Sequence, residues 1–298
     1  MDRETLLGIL LLLLGGMALQ PLAAMRDQRH PGDDPCIAER RAWRRLWLPM
    51  MPSAIITAWL AGWALREPDP VHDRLAPWLL VAICAPFALI AARAALRAVW
   101  ALVREPAAHP VCTAGLLHPR IVFSPFLVAS LEDPQVRAAW EHEQAHVRHR
   151  DPLRIWLGQF VTDLQWPWPG ARERFDHWVE VLEQARDDEA RRHGVSGVDL
   201  AAAVVVTLKY SSRDRLGQAT ARPRLQVDAA LGGDPKVLER RIMRLLAARE
   251  SADPVILPRP HHASLPLAVA CTLLAALLLG ALYGETVLHP MLAWTCLL

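Results

Sequence analysis

Cysteine is scarce in this chain of 298 residues: five, at 36, 84, 112, 271 and 296, an odd number with no CxxC pair among them. That argues against both a disulfide framework and a cysteine-held zinc site. A large charge excess is missing too. A net charge of +2 leaves no electrostatic footprint for a polyanion, so no direct nucleic acid binding is expected. Internal repeats and low-complexity tracts are also absent. What the chain has in abundance is apolar surface: 53% of residues are hydrophobic and the mean hydropathy is +0.16, with the apolar residues clustered rather than spread.

Those clusters read as membrane spans. Thr5 to Met25 holds one polar side chain after Thr5, Gln20, and is long enough to cross a hydrocarbon core. Further runs at 46–65, 76–95 and from Leu265 to Tyr283 bring the expected count to four, with prolines 49, 52 and 86 inside two of them, as membrane helices tolerate. A cleavable signal peptide is the rival reading of the first run. It would put Arg26, Arg29, Arg40, Arg41, Arg44 and Arg45 outside, against the positive-inside rule. By that rule the first loop and the long segment after the third span are cytoplasmic, and both termini are extracytoplasmic. Multi-pass insertion into a lipid bilayer is therefore expected. The domains expected are 1–103 for three spans, 104–263 for a cytoplasmic domain, and 264–298 for a fourth span with a short tail.

The densest chemistry lies in that cytoplasmic segment. His142-Glu143-Gln144-Ala145-His146 is an H-E-x-x-H sequence, and residues four apart on a helix share one face, so both imidazoles reach one metal ion with Glu143 beside them. Asp133 before Pro134 reads as an N-cap, starting a helix through about Arg148. Helical phase puts Arg137, Glu141, Gln144 and Arg148 on a wet side. It puts Val136, Ala139, Trp140, Glu143, His146 and Val147 on the apolar side, with His142 at its edge. Burying such a trio costs several kcal/mol unless a cation satisfies it.

A zincin needs a third protein ligand and keeps the fourth position for water. Glu183 is the candidate, on a helical stripe with Val179, Asp187 and Ala190, while His177 and Glu180 on the same helix stand as alternatives. Asp187 would accept a hydrogen bond from a liganding imidazole and fix its tautomer. Upstream, Arg120-Ile121-Val122-Phe123-Ser124-Pro125 reads as an edge strand bracketed by prolines. Ile121, Val122 and Phe123 could pair with an extended peptide, or form an ordinary hairpin strand. Trp166-Pro167-Trp168-Pro169 reads as a packed turn or an interfacial anchor. Leu200 to Leu208 is apolar, and Ser211 to Asp228 reads as a mobile loop. Asp234-Pro235 caps a helix with Leu238, Ile242, Leu245 and Leu246 on one side and Arg240, Arg241 and Arg244 on the other.

The order of these parts resembles the BlaR/MecR family of integral-membrane zinc metallopeptidases. The likeness rests on three spans, the Arg120–Pro125 strand, His142-Glu143-x-x-His146 running into Arg150-Asp151-Pro152, the Trp-x-x-Pro segment, Glu183-x-x-x-Asp187-x-x-Ala190 and a fourth span. The Glu-x-x-x-Asp element is also similar to that of HtpX and the CAAX prenyl proteases. The resemblance implies a mainly α membrane protein with a gluzincin domain between spans three and four, one Zn2+ per chain held by His142, His146 and Glu183, and Glu143 as catalytic base. It further implies location in the bacterial inner membrane and cleavage of a protein substrate, a cytoplasmic transcriptional repressor. One departure is large: only Gly284 to Leu298 follows the fourth span, and no Ser-x-x-Lys acylation site exists in the chain, so a sensor would have to be a separate membrane partner. Two other readings are a quality-control protease like HtpX and a zinc-binding scaffold that does not cut. For the oxyanion stabiliser a peptidase needs, Arg191, Arg192, His193 and His149 are the candidates.

Overall fold

A computed structural model describes residues 34–66, 77–103, 111–166, 169–217, 235–247 and 264–295. Proline sets many of the helix starts, because its fixed φ suits the first turn and its missing N–H is no loss there. The order is α1 (Pro35–Trp47), a 3-10 turn (Leu48–Met50), α2 (Met51–Ala64), α3 (Pro77–Val103), β1 (Val111–Ala114), β2 (Arg120–Phe123), α4 (Pro125–Val128), α5 (Asp133–His149), α6 (Asp151–Leu164), α7 (Pro169–Arg192), α8 (Gly197–Gly217), α9 (Pro235–Ala247) and α10 (Ser264–Thr295). The protein is thus mainly helical, with one small antiparallel sheet of two strands, Thr113 opposite Ile121 and Cys112 opposite Val122.

Two compact units divide the chain. In the one drawn from residues 47–90 and 256–298, α2 and α10 pack backbone against backbone. A Cβ on Gly62 would lie 1.9 Å from the Leu277 carbonyl oxygen and one on Gly280 1.9 Å from that of Trp59, so only glycine fits at either crossing. Two helical stretches among the described residues, Pro35–Ala64 and Val269–Val287, are long and apolar enough to cross a membrane by length and composition, not four. The run at 5–25 lies outside the described residues. The run at 46–65 is broken by the 3-10 turn, because Pro49 and Pro52 cannot donate to the preceding turn. The third run is helical within α3, which continues past Arg93 to Val103. Beyond Tyr283, the expected short tail is helical through Thr295.

The second unit takes residues 31–46 and 91–255, so α1 and the end of α3 fall in the same compact unit as residues 104–255. The reason is visible in α1, where buried Glu39 accepts a hydrogen bond from Trp178 Nε1 at 3.1 Å and pairs with Arg154. The core of this unit is the buried face of α7: Ala171, Phe175, Trp178, Val179, Leu182 and Ala185. A second cluster joins Ala138, Ala190, Val195, Leu200, Ala201 and Leu245, from α5, α7, α8 and α9 and the turn before α8. Ser211 to Gly217, expected in a loop, is the last part of α8, and 218–234 lies outside the described residues.

Candidate metal centre

α5 begins one residue earlier than a cap at Asp133 would allow: Glu132 is the N-cap, and its side chain and that of Gln135 form a reciprocal capping box. The helix is also rotated from the expected phase. Ala138, Ala139, His142, Ala145 and His146 are its buried residues, so His142 is central to the buried face while Trp140 is exposed, stacked on Phe123 at 5.9 Å between centroids. Alanines at 138 and 145 are what let α7 and α8 approach this closely; Trp140 is too large for that interface.

His142, His146 and Glu183 converge. Their ligating atoms all lie within 4.8 Å of one another, and all three residues are buried. The two Nε2 atoms are 3.1 Å apart, and Glu183 Oε2 and Oε1 stand 3.4 Å from His142 Nε2 and 3.5 Å from His146 Nε2. A tetrahedral zinc with bonds of 2.0–2.1 Å has ligand-to-ligand edges of about 3.3 Å, so these separations fit one ion. Glu183 Oε2 is buried and makes no well-aligned hydrogen bond among the described residues, its near neighbours being His142 Nε2 and the Arg241 guanidinium.

Each imidazole is backed by an acid on its other nitrogen. His146 Nδ1 is 2.9 Å from Asp151 Oδ2, and His142 Nδ1 is 3.0 Å from Asp187 Oδ1, the latter too oblique for a hydrogen bond. Backing of this kind leaves both Nε2 atoms free for a metal. The acids are themselves gripped. Asp151 takes Arg186 at 2.5 and 2.9 Å and Arg154 at 3.1 Å, while Asp187 takes Arg241 at 2.7 Å through both oxygens. Arg241 also reaches Glu183 Oε2 at 3.0 Å. It was expected on the wet side of α9 with Arg240 and Arg244; instead it is buried, because two carboxylates inside need its charge.

Burial by itself would lower the pKa of His142, but the carboxylates of Asp187 and Glu183 outweigh it and raise it to about 10. Burial would likewise raise the Glu183 and Asp187 carboxyls, yet Arg241 and the imidazoles hold both below the usual range. Glu143, Asp151, Glu183 and Asp187 are four carboxylates facing two guanidiniums, Arg186 and Arg241, with Arg154 matched by Glu39. Two negative charges are left over, the number a divalent ion cancels. Where no ion sits, a proton on His142 serves part of that need, so metal binding releases protons.

Glu143 is half-buried on the same helix, and its Oε2 accepts a 2.6 Å hydrogen bond from Thr113 Oγ1 of β1. Ile121, Val122 and Phe123 lie on β2, which pairs with β1 and has no strand on its other edge among the described residues. Of the alternative ligands, Glu180 is engaged by Arg240 at 3.3 Å and is not in the triad, nor is His177. Of the oxyanion candidates, His149 is held by Glu189 at 2.8 Å, His193 by Glu141, and Arg192 by Cys36, so these three have other partners. Sequence reasoning gave no part in the site to Thr113, Asp151, Arg186 or Arg241. Asp151 alone left a trace, as an acid at a helix start five residues past His146. No family model, no curated protein and no solved structure matches the chain.

Proposed function

We propose that the chain is an integral-membrane zinc metalloendopeptidase hydrolysing a peptide bond of a cytoplasmic or membrane-proximal protein. The observation that carries this reading is the meeting of two Nε2 atoms and a buried carboxylate at the edge lengths of a zinc tetrahedron, with Glu143 on the same helix. His142, His146 and Glu183 hold the ion, one per chain, and Asp187 and Asp151 set the rings. Bound there, zinc supplies a water acidified towards neutrality and a Lewis acid for the scissile carbonyl. Glu143 accepts the water's proton and returns it to the leaving amine. Because Thr113 occupies Oε2, Oε1 is the atom that carries that proton. The free edge of β2, with Ile121, Val122 and Phe123, suits an extended peptide.

The two membrane-length helices support insertion in a bacterial inner membrane, and the arginine-rich first loop supports a cytoplasmic site with both termini outside. The BlaR/MecR-like order of motifs supports a signalling protease whose substrate is a transcriptional repressor and whose trigger comes from a membrane sensor partner.

The test is zinc content and peptide hydrolysis by the full chain in detergent, with a chelator control. Glu143→Gln should keep one zinc and lose roughly 10²–10⁴ in turnover. Glu183→Ala should lose the zinc. Undiminished turnover in the first variant removes Glu143 from its role, and a wild-type chain that takes up no zinc sinks the reading.

A further inference from the structure

At the other end of α6 from Asp151 the structure holds a cavity of about 180 Å3, lined among others by Arg93, Arg97, Arg172, Asp163, Gln159 and Trp166. Three of these are guanidiniums and one is a carboxylate. Arg93 and Arg97, one turn apart on α3, both place Nη1 on Asp163 Oδ1, at 3.3 and 3.1 Å, and Arg172 Nε bonds Asp176 at 3.0 Å. A guanidinium has five N–H donors, so most donors of each fork have no hydrogen-bond partner among the described residues. Acceptors are open as well: Asp163 Oδ2 and Gln159 Oε1 are buried with no hydrogen-bond partner among the described residues. Burial pushes the Asp163 carboxyl up against the pull of Arg97 and Arg93, which weakens its repulsion of an anion.

The cavity therefore asks for an occupant that is anionic and rich in acceptors at one end and carries a hydrogen-bond donor at the other. Water answers the acceptors but not the charge. Its volume is below the roughly 300–1,000 Å3 of pockets that enclose a drug-sized molecule, so it fits a fragment such as a headgroup. The surroundings name the fragment's source. α3 carries no charged residue from Pro77 to Ala92, and Arg93 is the first. Exposed Trp166 lies under the Arg93 guanidinium at 5.4 Å, an aromatic and cationic pairing suited to the membrane–water boundary.

We propose that this cavity binds the headgroup of an anionic glycerophospholipid, the arginines taking its phosphodiester and Asp163 and Gln159 taking a glycerol hydroxyl. The inference rests on the membrane embedding proposed above and is independent of the metal centre.

The full chain, delipidated in detergent, is titrated with phosphatidylglycerol, phosphatidylcholine or inorganic phosphate and read by native mass spectrometry and by its melting midpoint. One phosphatidylglycerol should be retained per chain and raise the midpoint. The double variant R93Q/R97Q should bind about tenfold or more weakly with zinc content unchanged. If that variant does not fold, R172Q carries the test, since Arg172 contacts only neighbours on its own helix among the described residues, Asp176 by an ion pair and the Phe175 ring at 5.5 Å. An equal midpoint shift with inorganic phosphate would assign a soluble anion and overturn the lipid. Equal retention of phosphatidylcholine, or undiminished binding by the folded variants, would overturn the site. Recovery of the chain without detergent in a soluble fraction would overturn the embedding and this inference with it, whatever the zinc content.

Discussion

Arg150 ends α5 and starts α6 with φ 52 and ψ 44, in the left-handed region that a side chain occupies at a cost of roughly 1–2 kcal/mol. That bend is what turns Asp151 back under His146. Arg150→Gly relieves the strain and loses some of the gain to added freedom in the unfolded chain, so stability should rise by about 1 kcal/mol at most with zinc content intact. Denaturant melts in detergent check this, and a loss of stability would show that the arginine side chain does more than bend the chain. Glu189 is the residue with a readable pH window. Burial would raise its carboxyl, but His149 and Arg148 outweigh it and hold it down at about 2, below the ordinary 4.5. A carboxyl lowered in the fold stabilises above pH 4.5, and that contribution is lost as pH falls from 4.5 towards 2. The stability gap between wild type and Glu189→Gln should therefore shrink across that interval; a gap that stays constant there would refute the linkage.

α7 is the element on which the site depends, because one turn of it carries the triad carboxylate Glu183, the clamp Arg186 and the acid Asp187. Sequence periodicity made Glu183 and Asp187 visible on one stripe, as it did the two histidines, since both rest on spacing within a single helix, but it did not single out Arg186. It could not show what pairs across helices. Arg241 meets Asp187 from 54 positions away, and in an amphipathic helix a buried arginine and a wet one look alike. Nor could it phase α5, where Trp140 looked like core and is exposed, while Ala138 and Ala145 supply the tight face. Arg241→Gln leaves Glu183 and Asp187 buried without their cation. It should cost about 3–5 kcal/mol in chelator and distinctly less in saturating zinc, where the dication takes over. Melts with and without metal decide it, and equal losses in both would mean that Arg241 does not share a charge balance with the ion.

Across the whole molecule two of the four expected apolar runs stand as membrane-length helices among the described residues, because length and composition define them, whereas the 3-10 break at Leu48–Met50 and the helical extension to Thr295 depend on local backbone geometry. The close crossing of α2 and α10 was not legible, since nothing in the sequence distinguishes a glycine that permits contact from one that merely sits in a helix. Gly280→Ala places a methyl 1.9 Å from the Trp59 carbonyl oxygen and should lower stability by about 1–3 kcal/mol. Gly170→Ala meets only the end of Arg174, 3.4 Å away, and should be tolerated. Thermal melts of the two variants side by side test the contrast, and equal behaviour would deny the crossing. The two unmatched negative charges within the second unit have a wider consequence. On the proposed function, a chain made under zinc starvation would keep the part of that imbalance that a proton on His142 does not meet, open more often and be exposed to cellular proteases. On that reading its abundance should then follow metal supply, so that the cell's zinc status would set how much of the chain there is.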